Sequence, residues 1–253
     1  MENKIENPKL VKSGDEWKFG GWQFKVANDN IANEVSERIE EFKPAEISGY
    51  SFMNFKGLIQ ITIPKSVTSI EEGAFRGCSS LQSITIPDSV TNISKNAFMY
   101  CSNLKEIAIP SKVTNIGIWS FWNCKNLKKI DMPYGVTSIE SWAFKDCSSL
   151  EEITIPSSVT SIGDSVFEGC SNLEKINISK SLVQQIGENN IHSKLGLNPN
   201  VKILIDGPEI IFDEKGVLGK INVEKNLGVF KKLKKTTQLK NGEKSVKNAK
   251  NRD

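Results

Sequence analysis

The sequence predicts a β-rich α+β fold, a solenoid of short parallel strands with an added cap at each end. Three observations lead to this prediction. A 23-residue unit occurs five times from Leu58 to Asn172 without insertion or deletion, and a fixed period of this length is typical of solenoids. Within each unit a short stretch such as Ile84-Thr85-Ile86 alternates between apolar and polar residues, the period of a strand with one buried face. A proline follows each such stretch, where a strand should end.

Each copy places the same apolar residues at the same positions. Neither strand of a unit can bury its apolar face alone, so the coils are expected to stack about 4.8 Å apart, the strand spacing of a sheet. Equivalent residues should then form columns through the molecule. The three clearest columns are Leu58, Leu81, Leu104, Leu127 and Leu150; Phe75, Phe98, Phe121, Phe144 and Phe167; and Cys78, Cys101, Cys124, Cys147 and Cys170.

The five cysteines are predicted to be free, buried thiols. Zinc sites and disulfide frameworks need clustered or compactly paired cysteines, whereas these lie one repeat apart. A free cysteine behaves as a small buried hydrophobic residue. The sequence therefore predicts no metal site and no cofactor.

The amino-terminal region, residues 1–46, is predicted to be a cap. Two alternating runs from Trp17 to Val26 are joined by Gly20-Gly21, a strong hairpin signal. The helical spacing of apolar residues predicts a helix from Ile31 to Phe42. The hairpin's aromatic residues are either a ligand platform or, as we favour, a cover for the exposed end of the stack. They are Trp17, Phe19, Trp22 and Phe24.

The solenoid is predicted to span residues 47–205. Its first, partial copy begins near Ile47, and residues 179–205 are expected to form an irregular last coil. Residues 206–230 are predicted to form a carboxy-terminal cap hairpin. Residues 231–253 are predicted to be a disordered basic tail.

Charge is distributed unevenly along the chain. The whole sequence carries a formal net charge of +3, but residues 231–253 contain eight lysines and one arginine against two acidic residues, a net charge of +7. The first 230 residues therefore carry −4. The tail either solubilises the chain, which we favour, or binds phosphates or anionic lipid. Nucleic-acid binding is not favoured, because no aromatic residue that could stack on bases follows Phe230.

The candidate binding site centres on the third and fourth copies, where outward-facing positions become aromatic, and it extends to Met99 and Tyr100 of the second copy. Trp119 and Trp142 occupy equivalent positions in adjacent coils, so they should be neighbours, as should Met99 and Trp122. Exposed patches of this kind are typical of interaction sites. The alternative is that the rings fold over the phenylalanine column and only thicken the corner of the coil. The predicted partner-binding residues are Met99, Tyr100, Trp119, Trp122, Tyr134 and Trp142.

No pattern in the sequence indicates an enzyme or a membrane span. His192 is the single histidine, and no nucleophile, phosphate-binding or dinucleotide-binding motif is present. No apolar run approaches the about 20 residues of a membrane helix. The first residues show no secretory signal, so either the protein is cytoplasmic or a leader has been removed.

The repeat resembles the BspA-like leucine-rich repeats. The match is to Leu-x-x-Ile-x-Ile-Pro-x-x-Val-Thr-x-Ile-x-x-x-Ala-Phe-x-x-Cys, which Leu81 to Cys101 follow throughout. Departures are mild, such as Met132 in place of isoleucine and Ser120 or Val166 in place of alanine. The resemblance implies a leucine-rich-repeat solenoid without catalytic residues, used for binding and common in surface or secreted proteins that attach to other proteins.

We therefore expect a non-enzymatic protein-binding module that serves adhesion or recognition of another protein through the solenoid surface. Two alternatives stay open. One is an intracellular scaffold that uses the same surface. The other is an anion-binding protein that acts through its basic tail.

Overall fold

The computed structural model describes residues 11–19, 22–28, 31–32, 35, 46–205, 209–213 and 216–221. The chain divides into two compact units, residues 1–205 and residues 206–253. The first unit contains the repeats, which form a parallel-stranded solenoid of about seven turns. The second unit is described for one hairpin.

Each regular repeat contributes a longer first strand and a two-residue second strand. The strands, in chain order, are β1 (Val11–Ser13), β2 (Glu16–Phe19), β3 (Trp22–Val26), β4 (Glu46–Ile47), β5 (Leu58–Thr62), β6 (Ser69–Ile70), β7 (Ser83–Thr85), β8 (Asn92–Ile93), β9 (Glu106–Ala108), β10 (Asn115–Ile116), β11 (Lys129–Asp131), β12 (Ser138–Ile139), β13 (Glu152–Thr154), β14 (Ser161–Ile162), β15 (Lys175–Ile178), β16 (Lys202–Ile205), β17 (Glu209–Asp213) and β18 (Gly216–Ile221). Between β15 and β16 lie helix α1 (Lys180–Ile186), a 3₁₀ turn (Glu188–Asn190) and helix α2 (Ile191–Leu195).

The second strands form one parallel sheet in the order β4-β6-β8-β10-β12-β14. Equivalent isoleucines pair across it, beginning with Ile47 and Ile70. The first strands pair in parallel in the same way, and Ile107 pairs with Ile130 between β9 and β11. This constant register follows from a repeat without insertions, because each coil places the same residue above its counterpart.

The interior of the solenoid is filled by the predicted columns. Phe121, for example, is fully buried, and its ring is stacked against that of Phe144 with centroids 5.3 Å apart. Offset stacks of this kind contribute about 0.5–1.5 kcal/mol per pair beyond the burial of apolar area. The phenylalanine column extends one coil further than the five full copies and consists of Phe52, Phe75, Phe98, Phe121, Phe144 and Phe167.

The cysteine column consists of free, buried thiols, as predicted. Each thiol also donates a hydrogen bond to a phenylalanine carbonyl of the preceding coil, and the Cys124 Sγ lies 3.2 Å from the Phe98 oxygen. That oxygen also accepts from the backbone N–H of Cys101. Cysteine therefore fills a small apolar site and supplies a donor to a buried carbonyl. The same bond joins Cys78 to Phe52, Cys101 to Phe75, Cys147 to Phe121 and Cys170 to Phe144.

The amino-terminal strands β1, β2 and β3 form an antiparallel sheet that continues onto the first strands of the solenoid. β3 pairs antiparallel with β5, with Phe24 opposite Ile61. Trp22 and Phe24 are buried, 5% and 1% exposed, so they do not offer a ligand platform. The function of this sheet as a cap stays a prediction.

Parts of the amino-terminal predictions lie outside the described residues. These parts are the side chains of Trp17 and Phe19 and most of the helix predicted from Ile31 to Phe42. Within that helix, residues 31–32 and 35 have helical backbone. Ala32 and Val35 are fully buried in the core.

The sixth coil is irregular, because a serine replaces the proline of the repeat. Ser179 occupies the position of Pro156, one period later. Its side chain accepts a hydrogen bond from the Leu182 N–H and caps the amino terminus of α1. Serine is a preferred residue at this position, since it satisfies a backbone donor that the first helical turn leaves free. The sixth coil therefore continues into a helix where the other coils continue toward a second strand.

The same coil is also longer than the others. The Phe144 N–H donates to the carbonyl of Val166, 22 residues ahead, whereas the Phe167 N–H donates to that of Leu195, 28 residues ahead. The last coil thus carries six additional residues, which α1 and the 3₁₀ turn accommodate. The coil closes at β16, which pairs in parallel with β15.

In the second unit, β17 and β18 form an antiparallel hairpin within the range 206–230. Whether it caps the solenoid stays a prediction. The basic tail, residues 231–253, lies outside the described residues.

Candidate interaction surface

The turn after each second strand contains two positions with left-handed backbone. Residues with side chains pay a conformational penalty there of about 1–2 kcal/mol, from which glycine is exempt. Asparagine and aspartate tolerate the conformation better than other residues. The first position holds Tyr50, Gly73, Asn96, Trp119, Trp142 and Ser165, and the second holds Asn54, Gly77, Tyr100, Asn123, Asp146 and Gly169, with φ between 52° and 76°.

Trp119, Trp142 and Tyr100 therefore occupy positions that local backbone preference assigns to glycine or asparagine. Their φ angles are 55°, 55° and 62°. Bulky residues with positive φ are true outliers in proteins, and such strain concentrates at functional sites. The aromatic residues of these copies are thus placed against local preference.

Four rings of adjacent coils form one continuous group, which we call the aromatic cluster: Tyr100, Trp119, Trp122 and Trp142. The rings of Trp119 and Trp142 are stacked with centroids 5.8 Å apart, as the period predicts. Trp122 joins them to Tyr100, with centroid distances of 6.3 Å to Trp119 and 5.4 Å to Tyr100. All four side chains are half-buried. They are neither fully folded into the core nor fully exposed.

Charged residues of the next coil interact with Trp122. The Trp122 Nε1 donates to the Asp146 carboxylate at 2.9 Å. Glu168 accepts a hydrogen bond from the Lys145 ammonium at 2.8 Å, and this bond contributes most to holding the pKa of Glu168 below its usual value. The Lys145 ammonium also lies 6.0 Å from the centre of the Trp122 ring. With its indole N–H engaged, Trp122 presents mainly its apolar faces.

The two other predicted site residues do not belong to the ring group. Met99 is buried, 5% exposed, so it offers little area to a partner. Tyr134 is 37% exposed, but it lies in the connection between β11 and β12. The clustered tryptophans lie in the connections that follow β10 and β12, at another corner of the coil.

Tyr50 is a residue that the sequence prediction missed. It is 43% exposed and has the same left-handed backbone as Trp119 and Trp142. Its ring lies over Gly73, where an added Cβ would come within 2.5 Å of the ring. Its hydroxyl donates to Glu72. The signal was present, because Tyr50 precedes Trp119 by three full periods, but the partial first copy hides the alignment.

The described residues hold no group of three or more histidine, cysteine or acidic side chains that could bind a metal ion. Burial raises the pKa of Cys124 to about 12 and raises that of Cys147 well above its usual value, so these two cysteines offer no reactive thiolate. The His192 ring contacts the Val201 carbonyl oxygen at 3.2 Å. No helix in the described part of the chain has the length and apolar character needed to span a membrane.

Comparisons with known proteins agree with this architecture. The family model described as BspA type leucine rich repeat region matches residues 45–140 and 91–203 with six copies. A search of curated protein sequences finds no match.

Among solved structures, the chain is similar to a leucine rich repeat protein of T. pallidum, with 28% identity, a TM-score of 0.53, and coverage of 62% of this chain and 80% of that one. A leucine-rich repeat protein from Bacteroides ovatus has 22% identity and a TM-score of 0.33, with coverage of 79% and 66%. A leucine rich cell surface protein from Faecalibacterium prausnitzii has 23% identity and a TM-score of 0.31, with coverage of 66% and 72%.

Proteins built from such repeats are generally non-enzymatic modules for protein interaction. The family model covers well over half of the chain, and the parallel stack shows the same repeat in three dimensions. The chain belongs to the BspA-type leucine-rich repeat family.

Proposed function

We propose that this protein binds another protein through the aromatic cluster. The observation that carries the proposal is the left-handed backbone of Trp119, Trp142 and Tyr100. Large rings at such positions oppose folding stability locally, so a role outside folding accounts for them best. Tryptophan and tyrosine are also the residues that contribute most at the centres of protein interfaces.

The anchoring of the rings supports binding with little loss of side-chain freedom. The hydrogen bond from Trp122 to Asp146 and the stacking of Trp119 on Trp142 fix the rings before a partner arrives. Side chains that are already ordered lose less conformational entropy on association, which favours affinity. A partner that covers the ring faces would remove half-buried apolar area from water without breaking the bonds beneath.

The resemblance to BspA-like repeats makes adhesion to another protein the first setting to test, and an intracellular scaffold is the alternative. Both would use the same surface. The location of the partner distinguishes them, because adhesion requires a partner outside the cell.

The test compares three forms of the full chain as baits. The first is the wild type, and the second is the triple variant Trp119→Ser, Trp122→Ser and Trp142→Ser. Serine is compatible with the left-handed position, since Ser165 occupies it with φ of 52°. The third form is a matched control in which exposed residues of the first-strand face are changed: Lys105→Ser, Lys128→Ser and Glu151→Ser.

Circular dichroism and urea unfolding first establish that all three forms are folded. We expect the wild type and the control to retain at least one protein at moderate salt and the tryptophan variant to lose it. Capture of the same proteins by all three baits would contradict the proposal.

The net charge of +7 over residues 231–253 favours a second candidate function, the binding of anionic ligands. Binding that depends on lysines weakens steeply with salt, because it releases counterions. Deletion of residues 231–253 would then abolish binding to vesicles that contain phosphatidylserine, while the triple tryptophan variant would bind normally. Equal binding by the full and shortened chains would exclude this function.

A further inference from the structure

Among the described residues, the sheet of second strands ends at β14, and no strand pairs with its outer edge. In the regular coils, each second strand is followed by the second strand of the next coil. In the coil that follows β14, the segment after the first strand β15 forms α1 and no second strand, because Ser179 replaces the proline and starts a helix. β14 is therefore an edge strand whose neighbour is missing.

The missing neighbour leaves two carbonyl groups without donors. In the preceding coil, the Thr137 oxygen accepts from the Thr160 N–H at 2.9 Å, and the Ile139 oxygen accepts from the Gly163 N–H at 2.8 Å. One coil later, the oxygens of Thr160 and Ile162 accept no hydrogen bond from any residue that the structure describes. These two oxygens lie two residues apart on the same side of β14. An extended strand presents its backbone N–H donors toward one side at the same spacing.

A groove of about 540 Å³ lies beside this edge. Its apolar lining comes from Ile162, Leu182 and Ile186. Ile162 is 8% exposed, whereas the preceding isoleucine of its column, Ile139, is fully buried. Polar side chains line the rest of the groove: Ser161, Gln185, Asn190, Ser193 and Lys194. The groove thus offers an apolar surface for one side chain, polar groups around it and backbone acceptors along one wall.

We propose that this groove binds an extended peptide segment of a partner protein, which pairs in parallel with β14. The two carbonyls without donors favour a polypeptide as the ligand, because any polypeptide backbone supplies N–H donors at the required spacing. The apolar lining selects for one aliphatic residue between small polar ones. This is the composition of the second strands themselves, Val-Thr-Ser-Ile-Gly in the fifth copy. The site is independent of the aromatic cluster.

The probe is a synthetic peptide with blocked termini that copies residues 158–163 of this protein. In the parallel register, its N–H groups equivalent to Ser161 and Gly163 would face β14, and that of its isoleucine would face away. One analogue carries an N-methyl group on the glycine, and a matched analogue carries it on the isoleucine. Binding to the full chain is followed by the amide NMR signals of Thr160–Gly163 and of Gln185–Lys194.

We expect saturable shifts of these signals with the unmodified peptide. N-methylation of the glycine should weaken binding about tenfold, the equivalent of one hydrogen bond. N-methylation of the isoleucine should leave the affinity unchanged. No saturable shift, or equal weakening by the two N-methyl groups, would overturn the proposal.

Two protein variants provide a second comparison. Asn190→Trp places a large ring in the groove, and Asn189→Trp places the same ring on the adjacent exposed residue outside it. The first should abolish peptide binding and the second should preserve it, with both proteins unfolding at similar urea concentrations. Binding that survives in both folded variants would contradict the assignment of the groove.

Discussion

Trp119 and Trp142 are stacked with ring centroids 5.8 Å apart, and both have a φ of 55°. The period of the repeat explains the distance, because equivalent residues lie one coil apart. It does not explain why the two largest side chains occupy a backbone conformation that disfavours any side chain. The stack therefore combines a packing arrangement that the solenoid provides with local strain that folding does not require.

The strain at Trp142 predicts that a glycine variant at this position is more stable than an alanine variant, which is the reverse of the usual order of stability. Trp142→Ala and Trp142→Gly remove the same ring, but alanine retains the left-handed penalty. We expect the glycine variant to be more stable in urea unfolding, by about 1 kcal/mol. Trp122 has no positive φ and serves as the control. There the alanine variant should be the more stable one, and an identical order at both positions would contradict the strain argument.

A buried hydroxyl should lower the stability of the third copy. Ser120 is fully buried in the alanine column, and its Oγ has no hydrogen-bond partner in the described structure. Ser120→Ala should raise the free energy of unfolding by about 1 kcal/mol, because it removes an unsatisfied polar group. The control is Ser89→Ala, which removes a hydroxyl that donates to the Val67 carbonyl at 2.6 Å and should destabilise the protein. A loss of stability in both variants would count against this account.

The cysteine column predicts a loss of stability at alkaline pH. Burial raises the pKa of Cys124 and of Cys170 to about 12, above the usual thiol value of 9.0. Thiols of the unfolded chain lose protons above pH 9, whereas these buried thiols keep theirs until about pH 12. A raised folded-state pKa contributes stability that is fully present below pH 9 and is lost as the pH rises toward 12.

Urea unfolding between pH 8 and pH 11 measures this effect. Each such thiol should contribute a slope of about −1.4 kcal/mol per pH unit within the window. Cys124→Ala should reduce the total slope by about that amount. An unchanged slope in this variant would show that the thiol is not protonated and buried as described.

The cap at Ser179 predicts a measurable contribution to the stability of the last coil. Ser179→Ala removes the acceptor for the Leu182 N–H and should cost about 1 kcal/mol in the free energy of unfolding. The exposed Ser157, which lies in the turn after Pro156, is the control, and its change to alanine should have no measurable effect. Equal stability of the two variants would contradict the capping role.

The sequence predicts well which residues of adjacent coils are neighbours, because a period without insertions determines which residues lie one coil apart. The proximity of Trp119 and Trp142 and the free, buried cysteines follow from this alone. The period does not determine how far a side chain reaches from its turn. Met99 is buried although it shares its repeat position with the half-buried Trp122, and Tyr134 lies at another corner of the coil.

Other features depend on backbone geometry that residue types alone did not reveal. Glycine or asparagine stands at two positions of the turn in several copies, which is a signal of left-handed backbone, but the tryptophans and tyrosines at the same positions in other copies obscure the pattern. The replacement of proline by Ser179 marked an irregular coil, yet the helix that follows and the open edge of β14 became evident only in three dimensions.

The central claim is that a partner protein contacts the aromatic cluster. The most direct test replaces Trp122 by a photo-crosslinking phenylalanine analogue in one protein and Lys128, on the first-strand face, in another. Irradiation with the partner captured by the wild type should give a crosslinked product from position 122 and none from position 128. A product from position 128 alone would place the partner on the other face of the solenoid and contradict the account.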